Sequence, residues 1–333
     1  ADALEAMVIE ILESVARDGA SQERLEAVLH QLELHQREIT GDSYPYGLQL
    51  ILQALGSATH YSDPIAVLNL DPVIEELRQK IQDPDYIKEL AKRLLLDNTH
   101  RITLVMVPDD HLASEQLAAE STRLATLKAG MDEAERSAVI QLASDLEARQ
   151  EQVDDDSILP QVELADIPTA IPEPTFTIQT SKTLPFTTYG RGTNGLVYQQ
   201  CISPLPSLDS DQQHHLPLYS NALTELGLGD ENYTAIQERQ AATVGGISAF
   251  IAMRAGSEDE QTVGAHFSLS SKALLRNHKS QSELMYDTLQ KVRFTETGRI
   301  RDLVNQQRAR RDQSVTGNGH GLAMTAACAG MSP

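Results

Sequence analysis

Tryptophan is absent from this 333-residue chain, aromatic residues make up 4% of it, and there are only two cysteines, Cys201 and Cys328. Two cysteines without C-x-x-C spacing build neither a thiolate metal cage nor a disulfide framework, and they suit a reducing compartment. No run approaches the roughly 18 consecutive apolar residues that a membrane-spanning helix needs, and the opening residues carry no signal-peptide pattern. Positive charge is in short supply as well, with 27 Lys and Arg against 48 Asp and Glu and a formal charge of −21. That balance speaks against nucleic acid and anionic membrane as partners, and mildly favours basic peptides or plain solubility. The expected setting is soluble and reducing: cytoplasmic in a bacterium, an organelle matrix in a eukaryote.

What is present is an ordinary globular composition, 41% apolar and 23% charged, with room for about two domains and a sizeable core. The chain opens straight into a helical pattern without a methionine and stops on "CAGMSP", from which we expect a piece of a longer protein. Leu4, Met7, Val8, Ile11, Leu12 and Val15 fall at helical spacing and Gly19 ends that helix. Ser21 stands as N-cap of a second, whose expected apolar stripe is Leu25, Val28, Leu29, Leu32 and Ile39. After a "GDSYPYG" turn come a helix from about Leu48 to Thr59 and two short helices opening on Asp-Pro. "RITLVMVP" then reads as a β-branched strand. Residues from about 112 to 152 are Ala-rich and charged, with nothing β-like. They are read as two antiparallel helices bent at "KAGMDEAE", followed by an acidic, proline-punctuated extended linker.

Beyond the linker the texture changes. "TFTIQTSKTLPFTTYG" and "GLVYQQCIS" read as strands joined by the turn-rich "GRGTNG". A two-part helical stretch follows, then the alternating strands "GISAFIAMRA" and "TVGAHFSLSSKA", two more helices, and the small-residue segment "GHGLAMTAACAG". The fold class is therefore α+β, a helical region followed by a mainly antiparallel sheet with helices on one face.

The densest concentration of chemistry-bearing side chains is "HQLELHQRE", residues 30–38. The helical zinc motifs, H-E-x-x-H and its inverse H-x-x-E-H, place two histidines four apart on one face. His30 and His35 are five apart, about 140° around a helix axis. The positions that would complete a motif hold Leu34 and Ile39. Both histidines are thus expected at the surface or an interface of a long amphipathic helix. Neither motif occurs anywhere in the chain. His214 and His215, near Asp209 and Asp211, are adjacent and diverge on a helix or loop. His320 sits in a Gly-rich segment that lacks the Gly-Lys-Ser/Thr of a phosphate-binding loop. Arg308, Arg310 and Arg311 fit a solvated helix end, or a surface facing an acidic chamber or a missing half. Ser203 and Ser207 have no His/Asp arrangement that would make a hydrolase triad. No catalytic residue is assigned, and no substrate-binding residue is named.

Five stretches in register, "LHQLELHQREITGDSYPYGLQLILQAL", "NTHRITLVMVPDDHL", "SILPQVELADIP", "TNGLVYQQCIS" and "ALTELGLGDENY", carry a resemblance covering essentially the whole chain. The chain resembles the presequence-protease and falcilysin branch of the insulinase/pitrilysin zinc metallopeptidases. The resemblance implies a middle portion of a clamshell enzyme that degrades unfolded peptides in an enclosed chamber. Residues 1–40 would end the second domain, 41–175 would form the helical hairpin and linker, and 176–333 would form an incomplete, noncatalytic third domain. Zinc is implied for the full-length enzyme, a zinc metalloendopeptidase, and not for this part. Counting back from "GDENY" (Gly229 to Tyr233), the zinc positions of the catalytic repeat fall on Ser220, Leu223 and Thr224, which offer neither imidazole nor general base. The implied partners are peptide substrates and the missing catalytic half, with self-association through surfaces that half would cover. A substrate strand would be held, if at all, by an exposed sheet edge, which sequence does not identify. The alternative is a non-enzymatic interaction or scaffold protein retaining the fold.

Overall fold

A computed structural model describes residues 2–40, 44–170, 173–181, 184–256, 259 and 262–331. Up to residue 99 the described elements are all helices. α1 (Asp2–Asp18) ends on Gly19, whose φ of 79° is the left-handed value that favours glycine at a helix C-terminus. α2 (Gln22–Arg37) is capped by Ser21, whose hydroxyl accepts from the Arg24 amide. α3 (Tyr46–Thr59), α4 (Asp71–Lys80) and α5 (Tyr86–Leu90) follow, and α5 runs on as a wider π turn over Ala91–Leu96. The Asp-Pro pairs do not cap as expected. Asp71 and Pro72 lie inside α4, and Asp83 instead accepts from the Asp85 amide in the turn before α5. The expected stripes also shift. In α1, Leu12 and Val15 are half-buried while Leu4, Met7, Val8 and Ile11 are exposed. In α2, Val28 and Leu32 are exposed, and the buried face is Leu29, His30, Glu33 and Leu34. Leu29 packs with Ile74 and Ile81, flanked by Leu25, Leu70, Leu77, Tyr86 and Ile87.

Residues 100–190 form a separate unit. The expected strand at 101–108 carries no regular structure, because a strand exists only as a member of a ladder and none reaches it among the described residues. α6 (Leu112–Gly130) and α7 (Glu133–Glu151) are the two expected helices, broken at Met131–Asp132. Asp132 caps α7 through a reciprocal box with Glu135. The linker is extended apart from two single 3₁₀ turns, Asp156–Ile158 and Leu164–Asp166. β1 (Phe176–Ser181) and β2 (Leu184–Tyr189) then pair with each other as an antiparallel hairpin. They do not join the sheet that follows, so the strands either side of "GRGTNG" are not partners. Every described residue of this unit is exposed except the half-buried Met131.

Residues 191–331 fold with 2–99 as the other unit. Its elements are β3 (Leu196–Pro204), α8 (Ser210–Glu225), α9 (Tyr233–Thr243), β4 (Ile247–Ala255), β5 (Val263–Leu274), α10 (His278–Gln290), α11 (Thr297–Gly317) and α12 (Gly319–Cys328). The segment expected only as small-residue packing is thus helix α12. The sheet order is β3-β5-β4, both pairings antiparallel, with Cys201 and Ala249 opposite Leu269. Leu223, Leu269 and Met285 form one core between α8, β5 and α10. Leu228, Ile236, Val244, Ala273 and Leu284 form a second. Helices packed on an antiparallel sheet make this the expected α+β class.

Candidate functional site

α8 carries the positions on which the resemblance places a degenerate zinc motif. Asp209 caps it, accepting from the Gln212 amide while Gln212 reaches back to the Asp209 amide. The helix packs along β4, and of the three positions aligned with the zinc motif, Ser220 and Leu223 are buried against the core. The Ser220 hydroxyl has no hydrogen-bond partner, Leu223 belongs to the apolar core, and Thr224 donates to the Asn221 carbonyl. A lone hydroxyl and an aliphatic group do not hold zinc or activate water, so these residues do not fit the metal. Among the described residues no group of three or more His, Cys, Asp or Glu side chains is placed to bind one. The "GDENY" turn that follows is structural. Gly229 takes φ 59°, Asn232 caps α9, and the Arg299 guanidinium lies 4.7 Å from the Tyr233 ring centre.

The strongest charge constellation lies on α2. The Glu33 carboxylate accepts from Arg276 through both terminal nitrogens (3.0 and 2.6 Å), from Arg37 Nε (3.1 Å) and from Arg78 (3.1 Å). With Arg276 the main cause, its carboxyl is pulled down to about 2 despite burial. One turn earlier His30 is 7% exposed and its Nε2 has no partner. Burial pushes its imidazole below the ordinary value, with the Arg276 charge adding to the effect. His30 is therefore buried where α2 meets the α+β block, the interface side of the expectation, whereas His35 is exposed and lines a cleft of about 390 Å³ with Arg37, Gln49, Gln53, Asp71 and Asn194. Several polar groups of that cleft already have partners: Arg37 with Asp71 at 3.2 Å, Gln49 with Thr40 and the Tyr44 carbonyl, and Asn194 with the Arg37 carbonyl. Alongside, Gln31 donates to the Ala241 and Val244 carbonyls at the end of α9, and Lys272 pairs with Glu38. Leu34 packs with Leu196 and Leu274. This constellation fastens α2 to the α+β block; it leaves no carboxylate or imidazole pair for proton transfer.

The Glu33–Arg37 pair has the i,i+4 spacing that sequence can show, but Arg276 lies 243 residues away and nothing local announces it. His214 and His215 stand on α8, exposed, each with Nδ1 against a backbone carbonyl one turn back, of Ser210 and Asp211 respectively. His320 is the second residue of α12, not part of a turn. Arg308, Arg310 and Arg311 are exposed on α11, Arg308 lying 3.8 Å from Asp312. Ser203 and Ser207 are not grouped with a histidine; Ser203 donates to the Pro204 carbonyl.

Residues 106–333 match the sequence model of the family described as Peptidase M-16C associated. The chain belongs to that family. Membership bears out the resemblance drawn from the five motifs, and the match covers the α6–α7 helices and the α+β block alike. Similar curated proteins include a mitochondrial presequence protease of Danio rerio, 26% identical over 328 residues that make up 98% of this chain and 32% of that one. The chloroplastic/mitochondrial presequence protease 1 of Arabidopsis thaliana is 27% identical over 96% of this chain and 30% of its own length. Protein HypA of Clostridium perfringens is 24% identical over 96% of this chain and 33% of its own. The chain spans about a third of the length of the curated relatives it matches. No described helix is long and apolar enough to cross a membrane.

Proposed function

We propose that this chain is a noncatalytic portion of a zinc-dependent oligopeptidase that degrades unfolded peptides in an enclosed chamber, and that it supplies hinge and chamber wall. In this reading residues 1–40 end a preceding domain, 41–175 form the hairpin and linker, and 176–333 form the noncatalytic domain. The peptide substrates are those the intact protein admits, and the remaining surfaces meet its catalytic half. The observation that carries the reading is the peptidase-associated family match over 106–333, set beside an α8 that offers Ser220, Leu223 and Thr224 where the resemblance requires zinc ligands and a base. The apolar side chains left uncovered on residues 100–190, Leu117, Leu124, Ile140 and Leu142 among them, agree with a wall that other parts of a longer protein cover.

The test is cleavage of an unfolded peptide by the whole-length protein, with and without a chelator. The expected result is chelator-sensitive endoproteolysis by the whole protein and none by residues 1–333 alone. A whole-length protein that binds zinc and peptide yet never cleaves would favour the scaffold alternative.

A further inference from the structure

α2 is joined to the α+β block by more than apolar contact. Gln31 donates to the Ala241 and Val244 carbonyls, Glu33 accepts from Arg276, Asn194 donates to the Arg37 carbonyl, and Lys272 pairs with Glu38 just past the helix. Within this seam sits His30, 7% exposed, and it bonds to none of those side chains. A neutral imidazole has one N–H and one lone-pair nitrogen. The Thr243 carbonyl at the end of α9 meets the ring and also accepts from Asn277. His30 Nε2 has no hydrogen-bond partner among the described residues. While the ring is neutral, that nitrogen costs one unmade acceptor bond. Protonated, it becomes a buried, charged N–H with nothing to receive it, which costs far more.

The carboxylates around His30 are already engaged. On α2 itself Glu33 lies one turn on, and each of its oxygens accepts from Arg276, with Arg37 on one and Arg78 on the other. Exposed Glu26, one turn back, accepts from Gln22. α9 brings Glu238, 3.7 Å from Arg24, and Arg239, which is held by Glu231 and Asp287. On α4 Glu75 is paired with Arg78, and on β5 Lys272 with Glu38. Arg276, in the turn before α10, sets its positive charge against the imidazole. We infer that the seam between α2 and the α+β block is a proton-operated clasp, closed while His30 is neutral and released as His30 gains a proton, with both sides still folded. Docking favours the neutral ring, through burial first and the Arg276 charge second. The clasp is therefore complete above the ordinary 6.5 and weakens as pH falls beneath it. Glu33 stays ionised there, its carboxyl being held at about 2, so the proton acts through His30 and not through the arginine hub. The seam lies within this chain, and the clasp does not depend on the peptidase reading.

The test is hydrogen exchange of the 333-residue protein, read by mass spectrometry as protection factors at about pH 7.5 and about pH 5.5. Segments covering α2 and residues 241–246 are expected to lose between about three- and tenfold of their protection at the lower pH, the ceiling being set by linkage to one proton. The segment of α10 that carries Leu284 and Met285 should keep its own. His30→Gln, which cannot take up the proton, should leave α2 equally protected at both values. His35→Gln, at an exposed position of the same helix, should behave as the parent protein. If His30→Gln does not fold, the His30 imidazole of the parent is followed by NMR, and its titration must coincide with the loss of α2 protection. Unchanged α2 protection at the lower pH, an equal loss in folded His30→Gln, a loss that His35→Gln removes, or a His30 titration that does not coincide overturns the inference. So does a loss shared in step by α10, because the whole unit is then unfolding and nothing is being released.

Discussion

Residues 100–190 and the unit made by 2–99 with 191–331 are built from the same kinds of segment, yet one buries nothing fully and the other holds several cores. α6 and α7 are each nineteen residues long and rich in alanine, α7 alone carries a side-chain cap, and none of their residues is buried. α10, with thirteen residues, buries Gln281, Leu284, Met285 and Thr288. The first pair stands on helix propensity and, in α7, a cap, which keep a helix helical without telling it what to touch. The second is fixed by complementary faces. Order along the chain and order in space are separate achievements, and this molecule shows them in separate places.

The comparison can be broken most forcefully at Glu33. Glu33→Ala leaves the guanidinium of Arg276 and its neighbours without their shared carboxylate. A loss of about 3–5 kcal/mol is expected in the urea unfolding of the larger unit, with the far-ultraviolet signal of α6 and α7 unchanged. Leu284→Ala, at a fully buried position, should cost about 2–5 kcal/mol in the same assay. Its counterpart Leu124→Ala, half exposed on α6, should stay within about 0.5 kcal/mol. Equal effects at the two leucines would mean that the arm has a core after all.

Acid sharpens the contrast. The Glu33 carboxyl is held at about 2 against an ordinary 4.5, so its contribution is complete above 4.5 and drains away as pH falls from there toward 2. Buried His30 lies below its ordinary 6.5, so its contribution is also present above that value and lost as pH drops beneath it. The larger unit should therefore show a urea midpoint that falls first below pH 6.5 through His30 and then between pH 4.5 and pH 2 through Glu33. His30→Gln should flatten the upper part of that profile. The most local expected effect is at Asp132. Replacing it with alanine should cost about 1 kcal/mol of α7 helicity, seen as faster amide exchange in its first turn and nowhere in the α+β block.

Much of this was legible because helix punctuation is local. Ser21 and Gly19 announce their boundaries, and the alternation in 247–274 announces two strands, since caps and period-two patterns are written within a few residues. What failed was partnership. Residues 101–108 have strand composition and, among the described residues, no ladder. The hairpin β1–β2 pairs with itself and not with β3. Of the expected α2 stripe Leu25 and Leu29 turn inward while Val28, Leu32 and Ile39 are exposed, and the α+β block recruits His30, Glu33 and Leu34 through Arg276, Thr243 and Gly245. Gly245 shows why that contact is invisible in sequence. A Cβ there would fall 2.6 Å from Leu34 Cδ2, across more than two hundred residues of chain. The candidate site was legible by omission only, in that no zinc motif is written anywhere in the chain.

The most direct measurement of the noncatalytic account is the metal content of the purified 333-residue protein by elemental analysis, made alongside a peptide-cleavage assay. The account predicts far less than one tightly bound zinc per chain and no chelator-sensitive cleavage. One zinc per chain, removed by chelator together with an activity that returns when zinc is restored, would contradict it.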